Sequence, residues 1–141
     1  MLTDLSLFLP YLLHRAAEQT GAEFQRNYKD KYGMLRTEWR VLFHVGHQPG
    51  ISAKDICDTA NLHKTKVSRA VRALELKRFL TRDKREEDLR SEILCLTKTG
   101  KAVLADLTQC ANDFDRVFEK KLGKDEVIDL KEMLLKLISD E

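Results

Sequence analysis

Lys64, Thr65, Lys66, Ser68, Arg69 and Arg72 lie within one stretch of nine residues that contains no acid. Arginine and lysine pair with guanine edges or phosphate oxygens, and serine and threonine hydroxyls donate to bases or phosphates. The chemistry on offer is therefore recognition of a polyanion rather than the making of bonds. Stepping about 100° per residue from Val67 places Ala70, Val71 and Leu74 on its side of a helix and Thr65, Arg69 and Arg72 opposite, with Lys66 and Ser68 flanking. A helix from about His63 to Lys77 would thus bury one stripe and present a basic face.

Charge distribution agrees. Residues 1 to 60 carry equal numbers of basic and acidic side chains, while Lys64, Lys66, Arg69, Arg72, Lys77, Arg78 and Arg82 face a single acid, Glu75, between residues 61 and 82. Residues 91 to 141 are net acidic. A positive middle third in an otherwise balanced chain favours a nucleic-acid partner through counterion release.

The elements that must hold this helix are legible on both sides. Ser52-Ala53-Lys54-Asp55 has the form of a capping box and opens a short helix to about Ala60. Two short helices with a tight turn between them, the second basic outside, make a helix-turn-helix whose second helix enters the major groove. Upstream, Pro10 suits a first helical turn, and Leu12, Leu13, Ala16, Ala17, Thr20, Phe24 and Tyr28 keep helical spacing, so a long helix runs from about 9 to 31 and ends at Gly33. Thr37 is the expected cap of a second helix carrying Val41, Leu42 and Val45, closed by His47-Gln48-Pro49-Gly50.

Downstream, Phe79 to Arg82 and Ile93 to Leu96 are β-prone runs around a charged segment, the pattern of a hairpin with a solvated tip. Thr97 or Thr99 starts a long helix through Val103, Leu104, Leu107, Ala111, Phe114, Phe118 and Leu122, which Gly123 ends. A final helix carries Val127, Leu130, Leu134, Leu137 and Ile138 on one face, with Asp125 and Glu126 in its first turn. The expected fold is mainly α with one small β-hairpin wing. The long first helix and the last two helices leave apolar stripes that pairing across a two-fold axis would bury, so a homodimer is expected.

Thr37-Glu38-Trp39, Ser52-Ala53-Lys54-Asp55-Ile56, Lys66-Val67-Ser68-Arg69, Leu74-Glu75, Asp88-Leu89-Arg90 and Leu94-Cys95-Leu96-Thr97-Lys98-Thr99-Gly100 together resemble the MarR family of winged-helix regulators. The resemblance implies a winged helix-turn-helix lobe at 37–97, flanked by dimerisation helices at 1–36 and 98–141. It implies a homodimeric transcriptional regulator, more often a repressor, that binds a short inverted repeat in double-stranded DNA. Ser52, Lys64, Thr65, Lys66, Ser68, Arg69 and Arg72 are then the DNA contacts, Arg90 reaches the minor groove from the wing tip, and Asp88 supports the wing. A small aromatic or phenolic effector is implied too; Tyr11, His14, Arg15 and Trp39 lie where the family often holds one, and an aromatic acid needs a polar group beside aromatics. Two departures stand out. Arg78 replaces the glycine usual after the recognition helix, so the exit turn must avoid or tolerate a left-handed residue, and Leu89 interrupts the usual Asp-Arg-Arg of the wing.

Other functions find little support in the chain. His14, His44, His47 and His63 are scattered, and there is no HExxH, GxSxG or glycine-rich phosphate loop, so no catalytic residue, cofactor or metal is expected. Cys57, Cys95 and Cys110 show neither CxxC nor zinc-ligand spacing and read as reduced thiols. No apolar run approaches the roughly 20 residues that span a bilayer, and Met1-Leu2-Thr3-Asp4-Leu5 lacks a basic leader. A cytoplasmic protein is expected.

Overall fold

The computed structural model describes residues 4–84 and 92–139. Around the basic helix the expected order of elements holds: α1 (Leu9–Tyr32), α2 (Arg36–His47), α3 (Ala53–Ala60), α4 (Lys64–Leu76), β1 (Leu80–Lys84), β2 (Glu92–Leu96), α5 (Lys98–Leu122) and α6 (Lys124–Ile138), with a 3-10 turn at Leu5–Leu7. β1 and β2 pair antiparallel from Leu80 opposite Leu96 to Lys84 opposite Glu92. A further bridge joins Ser52 to Ile93, and Leu94 N–H donates to the Ile51 carbonyl at 2.8 Å. The hairpin is thereby pinned to the entrance of α3.

Two compact units divide the chain, Met1–Leu107 and Thr108–Glu141. The first holds the core. Val67, Ala70, Val71 and Leu74, the stripe expected of α4, are all buried, together with Val41, Leu42 and Val45 of α2, Ile56 of α3, Leu80 and Leu94 of the hairpin, and Val103, Leu104 and Leu107 of α5. Each such side chain removed from water is worth about 1.5–3 kcal/mol, so α4 is fixed by its buried side and needs none of its basic face for stability. The first turns of α5 share this core with α2 and α4. In the second unit Val127 is buried and Lys131 Nζ lies 2.6 Å from Asp115 Oδ2, while Leu130, Leu137 and Ile138 of the expected α6 stripe are exposed.

Helix ends explain themselves locally. Gly33 closes α1 in the left-handed region (φ 64°), where Met34 N–H reaches back to the Tyr28 carbonyl. Thr37 does not cap α2 as its sequence context suggested. The helix begins at Arg36 because Leu35 is extended and its N–H donates to Glu38 Oε2 at 2.7 Å, so the carboxylate three residues on takes the role assigned to the hydroxyl. Ser52 and Asp55 form the expected box, Asp55 N–H donating to the Ser52 hydroxyl at 3.1 Å and Ser52 N–H to Asp55 Oδ2 at 3.0 Å. Of the two threonines proposed for α5, Thr97 is the cap: its hydroxyl accepts from Gly100 N–H at 3.0 Å and donates to the Arg78 carbonyl at 2.7 Å.

The exit from α4 resolves the missing glycine. Arg78 adopts φ 63°, Phe79 N–H donates to the Leu74 carbonyl at 2.9 Å and Arg78 N–H to the Glu75 carbonyl at 3.0 Å. That pair of hydrogen bonds is the left-handed helix stop normally built on glycine, here carried by arginine. Among the described residues no helix is long and apolar enough to cross a membrane.

Candidate nucleic-acid interface

α4 is capped by His63, whose imidazole Nδ1 accepts the Thr65 N–H at 3.2 Å. From there Lys64, Thr65, Lys66, Ser68, Arg69 and Arg72 are all exposed, opposite the buried stripe. Long cationic side chains on one edge of a rigid helix, each free to reorient, are suited to meeting phosphates and base edges.

Two concavities flank this ridge. On one side a groove of about 550 Å³ runs between α3, α4 and the hairpin, with Ser52, Lys64 and Ser68 brought together along it. Lys54 and Arg82 line the same groove, and neither was singled out from the sequence. Period two along β1 would have found Arg82, which shares a face with buried Leu80. The Arg82 guanidinium lies 3.3 Å from Glu75 Oε2 and 3.5 Å from Glu92 Oε2, spanning the end of α4 and the second strand. On the other side Lys66 and Arg69 rim a second groove, of about 400 Å³, floored by Glu38, Ala70 and Ala73. The Ser52 hydroxyl already accepts from Asp55 N–H, leaving its own proton for an acceptor outside.

Asp88 and Arg90 lie outside the described residues. The four residues read as an effector pocket are placed as follows. Trp39 is half-buried, its ring 5.8 Å from Phe24 and 5.8 Å from Phe43. His14 is exposed and pairs with Glu18 at 2.6 Å on its own helix, with Tyr11 and Arg15 nearby in sequence. From Arg15 to Phe24, where Trp39 packs, is about 13 Å of helix.

The histidines of α2 are packed rather than clustered with acids. His47 stacks on Phe43 with ring centroids 4.0 Å apart. Burial, then the neighbouring His47, holds the His44 imidazole below its ordinary pKa. Among the described residues no group of three His, Cys, Asp or Glu side chains could hold a metal ion. Cys57, Cys95 and Cys110 are unbonded and half-buried.

The model of the MarR family matches residues 32–91. No curated protein matches the chain significantly. Among solved structures, the transcriptional repressor CouR bound to a 23-mer DNA duplex is 26% identical, with 99% of this chain and 98% of that one covered at a TM-score of 0.89. Bordetella bronchiseptica BpsR, described in terms of DNA binding regulated by 6-hydroxynicotinic acid, is 20% identical with both chains fully covered (100%) at a TM-score of 0.88. The PcaV transcriptional regulator of Streptomyces coelicolor, in complex with its natural ligand, is 19% identical, covering 97% and 96% at a TM-score of 0.82. These solved structures share this fold over nearly the full length of the chain, and the sequence match falls on the segment that carries the basic helix: residues 32–91 resemble the MarR family.

Proposed function

We propose that this chain is a homodimeric, sequence-specific DNA-binding regulator of transcription in the cytoplasm, a repressor that recognises a short inverted repeat and is modulated by a small aromatic or phenolic compound. The observation that carries this reading is the exposed ridge of Lys64, Lys66, Arg69 and Arg72 on α4, flanked by a hairpin and anchored by an apolar stripe on its far side. Ser52, Lys64, Thr65, Lys66, Ser68, Arg69 and Arg72 are assigned to bases or phosphates, with Arg69 reading the sequence, and Arg90, supported by Asp88, to the minor groove. A DNA-bound neighbour of the same fold, CouR, supports duplex DNA as the partner.

Dimerisation is assigned to residues 1–36 and 98–141, and DNA binding to 37–97. Its support is exposed apolar surface: Leu7 is 72% exposed and Ile138 73%, and Leu9, Leu12, Leu135 and Leu137 are exposed too. Surfaces of this kind mark contact sites. A two-fold dimer sets its two recognition helices roughly 34 Å apart, one turn of duplex, which is why an inverted repeat is the expected target. Tyr11, His14, Arg15 and Trp39 are the proposed effector contacts; BpsR and PcaV, named with a hydroxynicotinic acid and a natural ligand, support a small-molecule effector.

Gel-shift titration over a salt series tests the reading. Affinity for a duplex selected from a random pool should fall steeply as salt rises, by one unit of log-log slope for roughly each phosphate neutralised. Arg69→Ala should erase the preference for the selected duplex over a scrambled one, whereas Arg90→Ala should weaken both and flatten the slope by about one unit. No saturable duplex binding at low salt would refute it.

A further inference from the structure

Glu38 is the buried charged residue among those described, 4% exposed. A carboxylate at that depth costs several kcal/mol unless its oxygens are partnered, and both are. Leu35 N–H donates to Oε2 at 2.7 Å, and the Lys77 ammonium donates to Oε1 at 3.1 Å. The first bond holds the backbone where the chain leaves α1 and enters α2. The second holds the residue that caps α4. One side chain therefore joins the junction of the first two helices to the far end of the basic helix, 39 residues away.

The apolar stripes of α2 and α4 already hold these helices together, and a buried ion pair adds little stability over an apolar pair of the same shape. What it adds is direction: two oxygens with fixed partners admit a narrower set of orientations than interlocking alkyl groups. Its location matters as well. Glu38 floors the groove rimmed by Lys66 and Arg69, and Lys77 directly precedes the left-handed Arg78, from which β1 departs.

We propose that Glu38 and Lys77 are positioning residues for DNA recognition, setting the orientation of α4, and with it the DNA-reading face, against the α1–α2 junction. This rests on the DNA-binding reading above. Glu38→Gln keeps an acceptor for Leu35 N–H and loses the charge; Lys77→Met keeps the stem and loses the ammonium. These variants, their double mutant and Lys77→Arg would be titrated as full chains against two duplexes of equal length, one selected by the unaltered protein from a random pool and one scrambled. Far-UV dichroism at the assay temperature would show each protein to be folded.

The expected result is a selected-to-scrambled affinity ratio lowered about tenfold in each single variant. The double variant should be no worse than the worse single, because the two act as one unit, and Lys77→Arg should keep the original ratio. A purely structural pair would lower the urea midpoint and leave the ratio unchanged, which would overturn the proposal. If the unaltered protein bound neither duplex, the DNA-binding reading would fall and the proposal with it, a result plainly different from discrimination that survives the substitutions.

Discussion

Gly100 and Arg78 test opposite sides of the same joint. A Cβ on Gly100 would sit 1.9 Å from the Phe79 carbonyl oxygen, the atom that accepts Thr97 N–H at 3.0 Å. Backbone meets backbone there, so neither side can give way by rotating a side chain. Gly100→Ala should cost about 2–3 kcal/mol and lower the urea midpoint at unchanged slope. Arg78 works the other way: its left-handed backbone costs roughly 1–2 kcal/mol, against roughly 0.5–1 kcal/mol for the extra freedom of a glycine in the unfolded chain. Arg78→Gly should therefore stabilise by about 0.5–1 kcal/mol and raise the midpoint. A fall would mean that the arginine head group contributes more than its backbone strains. Both residues were visible in the sequence, Arg78 as a departure from the family's glycine and Gly100 as part of a motif. Glu38 was visible only as a letter, because its role depends on a lysine 39 residues away and on an N–H that no propensity rule assigns.

At the level of elements, α1 and α5 are clasped by Asp106. Lys31 Nζ lies 2.8 Å from its Oδ2, and the Tyr32 hydroxyl donates to the same oxygen. These two hydrogen bonds hold the Asp106 carboxyl below the usual carboxylate range, while burial, then Asp106 itself, pushes the Tyr32 hydroxyl above its ordinary value. A depressed carboxylate contributes stability at pH values above its unfolded pKa and loses it as pH falls through the folded one. Asp106→Asn should thus be less stable than the parent at neutral pH, with the gap closing below about pH 4 in urea melts followed by circular dichroism. A gap independent of pH would show that the charge is irrelevant. The raised tyrosine acts at the alkaline end, its contribution present below about pH 10 and lost above. Helices of this length were legible because period 3.6 recurs over many turns, as the α4 stripe demonstrates. Two features were not: the single Ser52–Ile93 bridge, too short to leave a pattern, and the entrance to α2, where a carboxylate rather than Thr37 closes the turn.

On the scale of the whole molecule the exposed apolar residues dominate. In α6 Val127 is buried and Leu135, Leu137 and Ile138 are 61–73% exposed. Replacing Leu137 and Ile138 with aspartate should halve the mass seen by sedimentation at micromolar concentration without loss of helix signal. It should also weaken binding to the selected duplex by about a hundredfold, since two linked heads bind far more tightly than one. An unchanged mass would place the contact elsewhere. The concentration of positive charge in the middle of the chain could be read from the sequence, as could the apolar stripes seeking partners. The break after Leu107 could not, because the stripe of α5 runs through it unaltered and only packing separates its first turns from the rest.

The chain has one tryptophan, and Trp39 is wedged between Phe24 of α1 and Phe43 of its own helix. Its emission is consequently a built-in optical gauge of how α1 seats on α2, read without any attached dye. A compound that pried those rings apart would shift the indole spectrum toward the red before any DNA left, so candidate ligands can be screened in a cuvette of protein alone.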